Sequence, residues 1–199
     1  MQKLKILQNK KRLQRLVSLL VAIAVFGFIL LDWHYFQGLL ISPKQSSAQL
    51  EAAAEKGPVN TLFIPELHLQ APVRYPITSS EIIFQKELQS GVVHYPGTAL
   101  PGQPGSVYIF GHSSDYLWTA GNYKNVFSRL PQLPVGANIT LTDATGKTFK
   151  YTVTRKEVVA ATDTAVLKQN PDNHQLILQT SYPLGTALKR YLVFAELSQ

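Results

Sequence analysis

Three polar residues stand where apolar runs stop or start. Ser181 follows Gln175–Thr180, His112 follows Val107–Phe110 and Gly111, and Arg190 opens the run Tyr191–Phe194. These are the residue types of acyl transfer: a hydroxyl nucleophile, an imidazole base and a guanidinium that steadies an oxyanion. Such groups concentrate at loop edges of a rigid sheet, where the scaffold fixes them and substrate still reaches them. The residue types agree with that chemistry, but only a fold that brings three distant positions together would allow it.

The elements needed to do so are readable. Gln175–Thr180 and Arg190–Leu197 are predicted strands, joined by Tyr182-Pro183-Leu184-Gly185, in which Pro fixes φ and Gly tolerates a positive φ. Ser181 is thereby expected at a strand end, beside a cation delivered by the neighbouring strand. Ser106–Gly111 is a further predicted strand, running into His112. Others are Leu62–Ile64, Ala71–Tyr75, Asn138–Thr142 and Thr148–Val159, with a hairpin turn at Ala144-Thr145-Gly146. Glu81–Gln89 and Tyr123–Leu130 read as short helices. Many short strands with few helices indicate a sandwich or a barrel, and periodicity alone does not choose between them.

The pattern L-x-L-Q-T-nucleophile-x-P-x-G-T-x-x-x-R, from Leu176 to Arg190, together with a strand running into Gly111-His112, resembles the sortases, surface transpeptidases of mostly Gram-positive bacteria. Gly91–Gly105, GVVHYPGTALPGQPG, is similar to the stretch that precedes the catalytic His in class D and E type sortases. Leu62–Pro65 and Ala71–Val73 are similar to the entry strands of that domain, so the resemblance runs from Thr61 to Leu197. It implies a mainly β fold, a closed mixed barrel of about eight strands with short helices in the connections. It also implies a cysteine-type transpeptidase or hydrolase. A thiolate attacks the Thr carbonyl of an LPxTG-like sorting motif on a secreted surface protein, and an amine of cell wall or pilin resolves the thioester. By the same resemblance His112 moves the protons, Arg190 holds substrate and oxyanion, and Thr180 joins the substrate-binding residues. Val159–Asn173 becomes the connection that shapes motif recognition, with Ala161, Thr162 and Leu167 as lining residues.

One position departs from the family pattern: Ser181 stands where the nucleophilic Cys belongs, and the chain contains no cysteine at all. A thiol beside a cation ionises near neutral pH. A hydroxyl does not; it needs a base in direct hydrogen-bond contact, itself oriented by a third group. Asp115 is the acid nearest His112 in sequence. Three readings stay open at this point. The chain is an ordinary sortase whose nucleophile has been replaced, leaving activity silenced or impaired. It is a pseudosortase, a binding or adaptor domain at the cell surface. Or it is a serine acyltransferase or hydrolase on the same frame. A fourth, unrelated reading is a tethered β-domain in which Ser181 and His112 lie far apart.

No cofactor or metal is expected, because no two histidines have the i, i+4 spacing of a helical zinc motif and no calcium-type cluster of acids is visible. His34, His68 and His174 read as interface or loop residues, and His94 as shaping the loop before the site.

The 199 residues suffice for one domain plus an anchor. The net charge of +7 is unevenly spread. Lys3, Lys5, Lys10, Lys11, Arg12 and Arg15 precede an apolar run, Leu16–Leu31, and the remainder holds 13 basic against 12 acidic residues. The basicity is therefore a topology signal, not a nucleic-acid face. Residues 1–15 are expected to be cytoplasmic, 16–36 to span the membrane with Trp33, Tyr35 and Phe36 at its interface, 37–60 to form a stalk, and 61–199 to form the outer, catalytic domain.

Overall fold

In a computed structural model of the chain, the described residues are 58–114 and 120–198. The expected anchor, the basic segment and most of the stalk lie outside them, as does Asp115. Among the described residues no helix is long and apolar enough to cross a membrane.

Eight strands close into a barrel. They are β1 (Thr61–Ile64), β2 (Leu69–Arg74), β3 (Val92–His94), β4 (Gly105–Phe110), β5 (Asn138–Thr142), β6 (Thr148–Ala160), β7 (His174–Tyr182) and β8 (Lys189–Leu197). Their order around the barrel is β1-β2-β3-β4-β7-β8-β6-β5, which leaves no unpaired edge. Two neighbouring pairs, β2–β3 and β4–β7, are parallel, and the rest are antiparallel. Parallel pairs need crossovers. Helix α1 (Glu81–Leu88) lies in the first, and β5 with β6 fill the second.

Strand alternation makes the core. Ala71 and Val73 of β2 turn inward, as do Val107 and Ile109 of β4, Leu176 and Leu178 of β7, and Val193 and Ala195 of β8. The β5–β6 turn is held by Asp143, whose carboxylate accepts from the Thr145 N–H at 2.8 Å, the Thr145 hydroxyl at 2.7 Å and the Lys147 N–H at 3.0 Å.

The expectations need three amendments. Val92–His94 is a strand, so His94 belongs to the sheet and not to a loop. It is buried, and its Nε2 lies 2.9 Å from the Ala99 carbonyl. Tyr123–Leu130 is a succession of turns closed by i→i+3 bonds such as Leu130 N–H to Phe127 O at 3.1 Å, not a helix. Strand β7 runs on through Tyr182, so Ser181 lies inside its last two residues.

Candidate active site

Register sets the geometry. Ser181 lies directly opposite Arg190 across the β7–β8 ladder, Gln179 opposite Leu192, and Ile177 opposite Phe194. On the other flank Phe110 pairs with Gln179 and Tyr108 with Ile177. The ladder continues one step past β4, where the Gly111 N–H donates to the Gln179 carbonyl at 3.1 Å. His112 is the next residue, two past the end of β4. Beyond β8, Arg190 pairs with Val159 of β6. Three adjacent strands thus carry one transverse row, Ser181–Arg190–Val159, with neighbours about 4.8 Å apart in the backbone, and His112 follows the end of β4 on the β7 flank.

Ser181, Arg190 and Val159 fall on the barrel's outer face. Their same-face neighbours Tyr108, Ile177, Leu192 and Phe194 form a buried cluster separate from the interior core. This second cluster explains why β4 is apolar on both sides. The interior takes Val107 and Ile109, while Tyr108 and Phe110 need cover from outside. Cover comes from two directions. Val159, Val166 and Leu167 pack on it from β6 and the β6–β7 connection, while Tyr95 and Phe110 link it to Phe84 and Leu88 of α1. The result is an outer apolar layer covered from both sides, with Ser181 and Arg190 at one end.

His112 is held by its backbone. The Phe127 N–H donates to its carbonyl at 2.9 Å, and Phe127 itself is fully buried. Gly111 makes that approach possible: a Cβ there would lie 2.8 Å from Phe127 Cδ2 and 2.9 Å from Val126 Cγ1. Thr180 is 1% exposed and turns inward, its hydroxyl donating to the Gly111 carbonyl at 3.0 Å. It ties the ends of β4 and β7 together from beneath the row. Arg190 Nη1 donates to the carbonyls of Ala187 at 3.0 Å and Lys189 at 3.1 Å, which anchors the guanidinium over the β7–β8 turn. His112, Ser181 and Arg190 are all half-buried.

The β6–β7 connection contains one 3-10 turn, Ala165–Leu167, begun by the Asp163 carboxylate accepting from the Ala165 N–H at 2.9 Å. Of the three expected lining residues, Leu167 packs on the outer platform, Ala161 is half-buried one residue past β6, and Thr162 is exposed.

Sequence reasoning missed Tyr108 and Gln179. The Tyr108 hydroxyl donates to Gln179 Oε1 in a very short hydrogen bond. Burial pushes the Tyr108 phenol up; the Arg190 charge opposes this, and Tyr95 and Asp163 add to it. Arg190 and Asp163 therefore act electrostatically on the phenol. The signal for Gln179 was present in the sequence: Ile177, Gln179 and Ser181 alternate with Leu176, Leu178 and Thr180, so a polar side chain interrupts the outer face.

A closed, mixed eight-strand barrel with this strand order is a recognised domain fold. The family profile described as the sortase domain matches residues 62–198, and this chain belongs to the sortase family. A curated relative, Sortase D of Bacillus subtilis (strain 168), is 27% identical over 138 residues, covering 68% of this chain and 61% of that protein. The chain thus spans under two thirds of that relative's length. Among solved structures, sortase C-1 of Actinomyces oris is 27% identical with a TM-score of 0.59, covering 80% of this chain and 86% of the other. A Clostridium perfringens sortase D5 transpeptidase shares the fold at 23% identity and a TM-score of 0.58, covering 85% of this chain and 96% of the other.

Proposed function

We propose that this chain is a sortase-type transpeptidase frame whose outer platform receives an LPxTG-like sorting motif of a secreted surface protein. The single observation that carries the reading is the direct pairing of Ser181 with Arg190 across β7 and β8, next to the end of β4 from which His112 follows. Position 181 presents its nucleophile to a carbonyl, Arg190 offers its planar donor fork to the oxygen, and His112 protonates the leaving amine. An amine of cell wall or pilin is the second substrate, attacking the acyl-enzyme to form the new amide. Thr180 acts through position, holding Gly111 and hence His112, instead of touching substrate. Leu167 and Ala161 line the wall that reads the motif, and Thr162 lies at its rim. The apolar run Leu16–Leu31, behind its basic cluster, anchors the domain on the outer side of the membrane.

Ser181 leaves this frame silenced or impaired for transfer. A neighbouring cation suffices to ionise a thiol but not a hydroxyl. The test is Ser181→Cys, assayed with an LPxTG-type peptide and an amine acceptor. The substituted chain is expected to cleave and transfer, exceeding the unmodified chain by on the order of 10³-fold or more. If the Cys variant neither cleaves nor transfers, the sortase reading of the row is wrong. If the unmodified chain already turns the peptide over, the protein is a serine acyltransferase on this frame.

A further inference from the structure

We propose that Gln179, oriented by Tyr108, is a register-setting residue that donates a hydrogen bond to the substrate main-chain carbonyl two residues before the attacked one. The inference rests on the sorting-peptide reading above and extends it to a residue outside the reacting row.

Three observations carry it. Gln179 lies on the outer face one alternation below Ser181, half-buried between Phe110 and Leu192. A primary amide between two apolar neighbours is stable there only if its polar atoms are satisfied. One is: Oε1 accepts from the Tyr108 hydroxyl, which is 3% exposed and fixed within the outer cluster. Because that bond takes up the oxygen, the two amide donors are left to pair with another acceptor, and a main-chain carbonyl of a bound peptide is one.

The spacing then matches an extended peptide. Ser181 and Gln179 are two residues apart on one strand, about 6.6 Å. Carbonyls of an extended substrate repeat on one side with the same period of two. A chain laid along β7 with its scissile carbonyl at position 181 brings the carbonyl two residues earlier over the Gln179 amide. That contact is independent of side-chain identity, so it fixes the depth to which any sorting peptide advances.

The experiment uses direct binding to the unmodified chain, so that chemistry does not enter. The probes are a fluorescein-labelled Leu-Pro-Xaa-Thr-Gly peptide and the same peptide with that one carbonyl reduced to a methylene. Gln179→Leu and Tyr108→Phe are each expected to weaken the first probe by about five- to tenfold and to leave the second unchanged. Gln179→Asn, whose shorter side chain does not span the distance, should behave like Gln179→Leu. In the Ser181→Cys background Gln179→Leu should raise KM by a similar factor with kcat within about twofold. Equal losses on both probes, or none on the first, overturn the inference while leaving the sorting-peptide reading intact. If the unmodified chain binds neither probe and Ser181→Cys turns over no peptide, the parent reading fails and this inference falls with it.

Discussion

Ser181 and Arg190 are partners across the β7–β8 ladder. Only the Tyr182–Lys189 pair and the turn from Pro183 to Leu188 separate them in the chain, so the hairpin alone sets their distance. Thr186 closes that turn, its N–H and its hydroxyl both donating to the Pro183 carbonyl, at 2.9 Å and 2.8 Å. The charge is held over the turn by the carbonyls of Ala187 and Lys189. Ser181 and Arg190 are therefore one local unit.

Arg190→Lys keeps the charge and loses the planar fork. In the Ser181→Cys background it is expected to lower kcat by about 10²-fold, the scale of losing an oxyanion donor. Single-turnover acylation measures this. A variant with unchanged acylation would remove Arg190 from the chemical step.

Gly111→Ala places a methyl against the buried Phe127 ring. Overpacking of this kind costs about 1–3 kcal/mol. Urea titration should show that loss, and because the Phe127 N–H holds the His112 carbonyl, peptide turnover by the Cys variant should fall further than stability alone accounts for.

Thr180→Val preserves shape and removes a buried hydroxyl, leaving the Gly111 carbonyl without that partner. A loss of about 1–3 kcal/mol is expected by denaturation. If Thr180 acts only from beneath the row, peptide affinity at a temperature where the variant is fully folded stays close to that of the parent chain.

His94 gives the barrel an acid-side sensitivity. Burial lowers its folded pKa, while the bond to Ala99 raises it by less. The unfolded chain binds a proton near the ordinary value of about 6.5 when the folded chain still excludes it. The stabilisation is therefore fully present above that value and is lost as pH falls through the folded pKa. Melting temperature should decline between neutral pH and pH 5, and His94→Gln should flatten that decline. At the other end burial pushes Tyr75 up to about 12, so its contribution persists below pH 10 and is lost as pH rises toward 12.

Much of this arrangement was legible because it rests on local patterns. Seven of the eight strands were read from apolar runs bounded by Gly and Pro, and the Asp143–Lys147 turn from its Thr-Gly pair. Strand β3 was not, since Val92–His94 offers only two apolar residues before a Pro-Gly loop, and its identity comes from pairing with β2 and β4. Tyr123–Leu130 looked helical because Tyr123, Val126, Phe127 and Leu130 recur at helical spacing. Those side chains instead serve the barrel, where Phe127 and Leu130 are buried. In the site, residue types announced His112, Ser181 and Arg190, whereas Tyr108 was hidden inside an apolar run whose outward half only the second cluster reveals.

The parallel seam between β4 and β7 joins residues 69 positions apart, Gly105 with His174 through Phe110 with Gln179. His112 thus emerges from synthesis long before its neighbours on the row, and closure over such a separation is slow. A nascent or truncated chain ending before Lys189 holds the imidazole and β7 but lacks β8 and its guanidinium. The surface therefore comes into being only when the C-terminal strand has been made and has closed on β7.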